Sequence, residues 1–178
     1  MNLPNRLTLM RVALVPVICV LVGLGQLIPA AAVFVLAALT DFLDGHIARK
    51  RGLITTFGKF MDPVADKLLV LLTMIMLTEA ELLPGWAVCV VAARELFVDG
   101  LRLVAAGKGR VVAAGMPGKI KTNLQFFCIL SALLLKDHWV TLALTVAMAV
   151  MTVVSGGIYF VRLRDCFGEE TQHFKQQR

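Results

Sequence analysis

Long apolar runs dominate this chain, and the polar residues between them recur at regular places. Between Arg11 and Asp41 lie 29 uncharged residues. As one helix they would rise about 43 Å, more than the roughly 30 Å of a bilayer's hydrocarbon core. Gly23, Gly25 and Pro29 break the run, so it reads as two helices and a turn, near 5–24 and 29–50. The next runs are shorter: 11 residues between Lys67 and Glu79, 12 between Glu81 and Arg94, and 14 between Lys121 and Lys136. None reaches the roughly 20 residues that a span needs. Each does so if its helix continues through a charged stretch at one end. The third helix then includes Asp62 and Asp66, with Gly58 just before it and Pro63 in its first turn, where a missing N–H costs little. The fourth runs from Pro84 past Arg94, Glu95, Asp99 and Arg102, and the fifth begins near Lys119. Only 138–161 is long enough unaided.

Composition agrees. Of 178 residues, 58% are hydrophobic and 17% charged, against roughly 45–50% and 25% in a soluble domain. An ordinary cytosolic enzyme, a disordered chain and a nucleic-acid-binding module are excluded. The expected class is an all-α integral membrane protein, a six-transmembrane-helix bundle with 1–163 as one catalytic domain and 164–178 as a tail. Six spans put both termini on one face, and that face collects 17 of the 18 Lys and Arg residues. Positive charge marks the cytoplasmic side. Both termini are expected in the cytoplasm, and the net charge of +6 becomes a topology signal, with no nucleic-acid partner. The four cysteines are isolated and show no metal-site or disulfide spacing.

The charges that complete the short spans all lie on that same side. Ionisable groups at membrane depth line water-filled cavities or sites. A polar chamber open to the cytoplasm is therefore expected, built by the inner ends of helices two to five. Snorkelling would account for Lys and Arg but not for the short Asp, and four Asp fall within 26 residues.

Asp41 and Asp44 are three apart, and Asp62 and Asp66 four apart, so on helices each pair shares a face. A turn between the helices brings the pairs together. Four carboxylates in a poor dielectric repel strongly unless divalent cations neutralise them. Their oxygens suit Mg²⁺ or Mn²⁺, and two such metal ions can clamp phosphate oxygens for in-line displacement. Gly45 and Ala48 leave one face bare for a flat group such as a nucleobase, or for a close neighbouring helix.

The full pattern, Asp41-x2-Asp44-Gly45-x2-Ala48-Arg49-x8-Gly58-x3-Asp62-x3-Asp66, resembles the signature of the CDP-alcohol phosphotransferase family at every position. The opening Asn2 to Arg11 is similar to that family's amino-terminal segment. Arg94-Glu95, Leu101-Arg102 and Gly118-Lys119-Ile120-Lys121-Thr122 resemble the bacterial branch that makes phosphatidylglycerol phosphate. The resemblance implies a homodimeric six-helix protein of the bacterial inner membrane that transfers a phosphatidyl group from CDP-diacylglycerol and releases CMP. It also implies that Asp41, Asp44, Asp62 and Asp66 bind two divalent metal ions, Mg²⁺ or Mn²⁺, and that Asp66 is the general base. Asp41, Asp44, Gly45, Ala48 and Arg49 would bind the CDP donor, with Gly58 keeping that pocket open.

The acceptor is argued from charge. Arg94, Arg102, Lys119 and Lys121 are basic and on the expected cytoplasmic side, and pointed into the chamber they would hold the phosphate of glycerol 3-phosphate. Glu95 is expected to orient Arg94, and Asp99 to orient Arg102. The alternative acceptors are inositol phosphate or a phosphatidylglycerol-type lipid. Two other classes compete: a metal-ion transporter and a non-catalytic membrane subunit. The first would carry polar residues toward the far side, yet 29–39 and 68–78 contain no charge.

Overall fold

The computed structural model describes the backbone of residues 3–51, 56–108, 115–135 and 137–164, and side chains within 5–40, 58, 60–108, 115–135 and 137–164. These residues form six helices and no strand: α1 (Leu3–Gly23), α2 (Leu27–Arg51), α3 (Thr56–Glu79), α4 (Gly85–Gly107), α5 (Met116–Leu134) and α6 (His138–Leu163). The expected tail beyond Arg164 lies outside the described residues. α1 and α6, over Asn5–Gly23 and His138–Leu163, are long and apolar enough to cross a membrane, and Leu27–Thr40 is a shorter apolar helix.

Two tight turns set the up-down order. After α1, Gly25 takes φ +71°. Gln26 N–H then reaches Leu21 O at 2.8 Å and Gly25 N–H reaches Val22 O at 2.9 Å. This paired 6→1 and 5→2 closure satisfies carbonyls at the helix end and favours glycine at the left-handed position. The same closure ends α3, where Leu82 N–H reaches Leu77 O at 2.8 Å. There the left-handed residue is Glu81, at φ 59°.

α1 packs on α2 and α3, and α6 packs on α4 and α5; α3 and α5 join the two halves. Buried stripes at three- and four-residue spacing explain the packing. On α1 the stripe is Asn5, Thr8, Arg11, Val15, Ile18 and Val22. It changes from polar to apolar after Arg11, and the whole bundle divides at about this level. The apolar half holds Phe34 stacked on Phe126 at 5.5 Å, with Met74, Leu77, Ile129 and Met148 fully buried. On α6 the stripe is small and hydroxylic: Thr141, Thr145, Thr152 and Ser155. Thr145 and Thr152 each donate to the carbonyl four residues back at 2.7 Å, so the hydroxyls cost nothing when buried and the helices can approach closely. Outward-facing Val20, Ile28, Leu96, Leu103 and Trp139 are exposed, a surface suited to lipid rather than water.

Two details of the sequence reading change. α3 begins at Thr56, so Gly58 is inside the helix, and Pro63 lies beyond its first turn. Proline has no N–H for the carbonyl four residues back. The missing bond would run from residue 63 to the carbonyl of residue 59, in the turn that carries Asp62.

Candidate functional site

The polar half of the bundle opens into a cavity of about 290 Å³ walled by α3, α4, α5 and α6. The helix ends that meet there explain its chemistry. α4 and α5 carry their charged residues toward this end, as does α3 apart from Glu79 at its far end.

α3 supplies Asp66 and Lys67, with Pro63 beside them. Asp66 is held from α1: Arg11 Nη1 donates to its Oδ1 at 2.7 Å. Arg11 is completely buried while the Asp66 side chain is 47% exposed, so the arginine is the fixed member. One turn earlier on α3, Asp62 Oδ1 accepts from Thr8 Oγ1 at 2.6 Å. Thr8 is likewise fully buried. The 8/11 spacing on α1 thus meets the 62/66 spacing on α3, two helix faces in register.

α4 and α5 supply the basic wall. Arg94, Arg102, Lys119 and Lys121 all line the cavity together with Asp66. Glu95 is buried between two of them: Arg94 Nη1 donates to its two oxygens at 3.3 and 3.4 Å, and Lys121 Nζ donates to Oε1. Glu95 thereby orients Lys121 across the helix interface as well as its neighbour Arg94. Asp99 does not pair with Arg102 as the sequence suggested. It accepts from Lys67 on α3, because the packing of α3 on α4 turns its carboxylate toward α3.

Arg102 turns to α6. Its Nη2 donates to Tyr159 Oη at 2.9 Å, and the same oxygen accepts from the Gly115 backbone N–H at 2.9 Å. Tyr159 is 2% exposed. The Arg94 and Arg102 guanidinium carbons lie 5.6 and 4.9 Å from its ring centroid, within cation–π range. Sequence reasoning limited the chamber to helices two to five; the structure adds α6, and adds Thr8 and Arg11 behind the aspartates. The available signals were the 8/11 spacing and a phenol near the basic end of an otherwise apolar helix.

The remaining sequence candidates lie on α2 and α3. Asp41, Asp44, Gly45, Ala48 and Arg49 lie on the last turns of α2, and their side chains are outside the described residues. Gly58 is buried within α3. Among the described residues no three His, Cys, Asp or Glu side chains come together as a metal site. Asp62 and Asp66 contribute two carboxylates one turn apart, and Asp66 faces the cavity. That donor set suits a hard divalent cation.

The family model for CDP-alcohol phosphatidyltransferase matches residues 1–155. A CDP-diacylglycerol–glycerol-3-phosphate 3-phosphatidyltransferase of Bacillus subtilis is 45% identical, over 89% of this chain and 93% of that protein. One of the same name from Rickettsia typhi is 37% identical over 93% and 99%. A probable phosphatidylglycerophosphate synthase of Mycobacterium tuberculosis is 38% identical over 94% and 84%.

Proposed function

Since this chain belongs to the CDP-alcohol phosphatidyltransferase family, we propose that it transfers the phosphatidyl group of CDP-diacylglycerol to glycerol 3-phosphate, yielding phosphatidylglycerol phosphate and CMP. The observation that carries this reading is the meeting of Asp66, the last residue of the family motif, with Arg94, Arg102, Lys119 and Lys121 in one cavity.

In this mechanism a hydroxyl of glycerol 3-phosphate attacks the phosphorus that bears diacylglycerol. A phosphorus–oxygen bond forms to the acceptor, the bond to the CMP oxygen breaks, and the hydroxyl proton passes to the Asp66 carboxylate. Arg11 holds one Asp66 oxygen at 2.7 Å, which aims the other toward the cavity. Arg94, Arg102, Lys119 and Lys121 grip the acceptor's phosphate, with Glu95 fixing two of them. Arg49, Gly45 and Ala48 bind the donor's nucleotide, and Gly58 leaves room for it. Asp41, Asp44, Asp62 and Asp66 would hold two divalent cations, Mg²⁺ or Mn²⁺, whose bound charge would offset that of the phosphates. Among the described residues no Ser–His or Cys–His pair suggests a covalent intermediate, and the displacement is read as direct.

The topology follows from the same reading. Six helices cross the bacterial inner membrane, both termini and the chamber face the cytoplasm, and the donor's acyl chains stay in the bilayer. The protein acts as a homodimer.

The test is acceptor competition. Purified protein with CDP-diacylglycerol and Mg²⁺ or Mn²⁺ is given glycerol 3-phosphate, inositol phosphate or phosphatidylglycerol. A lipid phosphate formed from glycerol 3-phosphate supports the reading. Product from inositol phosphate or phosphatidylglycerol alone assigns a sister activity, and metal flux into proteoliposomes without turnover of CDP-lipid assigns a transporter.

A further inference from the structure

Two guanidinium groups in one cavity wall repel each other, and something must keep both aimed at the same place. The structure gives that task to one face of α6. Tyr159 presents its ring to Arg94 and Arg102 at 5.6 and 4.9 Å. An aromatic face carries negative charge density and attracts both cations. Its hydroxyl oxygen accepts from Arg102 at 2.9 Å and from the Gly115 N–H at 2.9 Å. These two contacts pin the ring between α4 and the start of α5.

Three residues before Tyr159, on the same face, stands Gly156. A Cβ there would come within 3.2 Å of Arg94 Cγ, tighter than normal packing, so the missing side chain leaves room for the arginine stem to cross α6 toward the ring. Arg94 Nε and Arg102 Nε are both buried without a protein partner. Both arginines also line the cavity, where an anion would meet their terminal nitrogens.

We propose that Tyr159, with Gly156 beneath Arg94, is the positioning residue that holds Arg94 and Arg102 as a preformed clamp for the phosphate of the acceptor. This rests on the proposed use of a phosphorylated acceptor. Tyr159 acts through the arginines, so it governs acceptor affinity and not the donor or the chemical step.

The experiment compares wild type with Tyr159→Phe, which keeps the ring and deletes the oxygen, and Tyr159→Leu, which deletes both. The KM for glycerol 3-phosphate rises about 10-fold in the first, the size of one charge-assisted hydrogen bond, and further in the second. The kcat and the KM for CDP-diacylglycerol stay at wild-type values. In a second measurement, independent of turnover, inorganic phosphate raises the wild-type melting temperature, and about 10-fold more phosphate gives the same rise in Tyr159→Phe. A wild-type acceptor KM in both variants overturns the proposal. So does a joint shift of both KM values and kcat, the mark of a merely structural residue. Wild type inactive toward glycerol 3-phosphate would refute the functional reading instead; the phosphate titration would still decide whether Tyr159 sets the clamp.

Discussion

The buried group Arg94–Glu95–Lys121 makes the sharpest energetic prediction. Glu95 and Lys121 side chains are 9% and 7% exposed, and Arg94 is 10% exposed, so solvent screens them little. Replacing Glu95 with Leu keeps the volume and leaves two cations without their anion. Removing one partner of such a pair costs about 3–5 kcal/mol. Lys121→Met is milder, about 2–3 kcal/mol, because Glu95 keeps Arg94 at 3.3 Å. The double variant removes the pair together. It should cost about as much as Glu95→Leu alone, which corresponds to a coupling of at least about 2 kcal/mol. At roughly 2–4 °C per kcal/mol for a chain of this size, the Glu95→Leu melting temperature falls by about 6–20 °C. Thermal unfolding of the four proteins in detergent, followed by circular dichroism, closes the cycle. If the double variant loses the sum of the two single losses, Glu95 and Lys121 are uncoupled, and the account of the basic wall fails. If Lys121→Met is the costlier single change, Arg94 is not the second partner assumed here.

Three other substitutions probe separate parts of the molecule. Asp66→Asn abolishes nearly all transfer while the chain stays folded, since the Asn oxygen can still accept from Arg11; an active variant would refute its role as the base. Arg11→Leu leaves Asp66 without its buried partner and lowers kcat at least 10-fold, on the order of one charge-assisted hydrogen bond; unchanged kcat with full donor and acceptor would show that α1 does not position the aspartate. Glu81→Gly relieves the left-handed position at φ 59°. It raises the melting temperature by a few degrees, about 0.5–1 kcal/mol after the added freedom of the unfolded chain is subtracted, and leaves transfer rates alone.

The helices were legible because their signals are one-dimensional. An apolar run, a Gly-Pro break and a cluster of charges locate a helix without knowledge of its neighbours, and the ends of α4 and α6 fall where those signals place them. Arg94, Arg102, Lys119 and Lys121 were marked out by charge and expected side alone; spacing does not gather them, since Lys119 and Lys121 are two apart on α5 and do not share a face. Partner choice did not follow. Asp99 lies three residues before Arg102 and four after Glu95 on the same helix, but the rotation of α4 against α3 delivers it to Lys67. Arg11 read as a topology marker, and nothing in an isolated α1 reveals that its guanidinium is buried against Asp66. Tyr159 was hidden most thoroughly. α6 satisfies every criterion of a plain span, and its contribution emerges only when Gly156 and Tyr159 face the two arginines.

The charge balance of the cavity bears on both the acceptor and the rival classes. Lys67, Arg94, Arg102, Lys119 and Lys121 line it against Asp66 and Glu95. Lys67 is answered by Asp99, and Glu95 answers only one charge of the two that flank it. Among the described residues an excess of cation remains, which a serine or choline headgroup would leave standing and a phosphate near −2 would meet. The excess also argues against cation passage. A cation crossing the bundle would have to pass this basic wall, then the layer where Met74, Leu77, Ile129 and Met148 pack with no exposed surface. Desolvating an ion there without ligands is prohibitive. A cavity polar at one end and sealed by a dry core suits a reaction that takes a soluble anion from one side and leaves its product in the lipid.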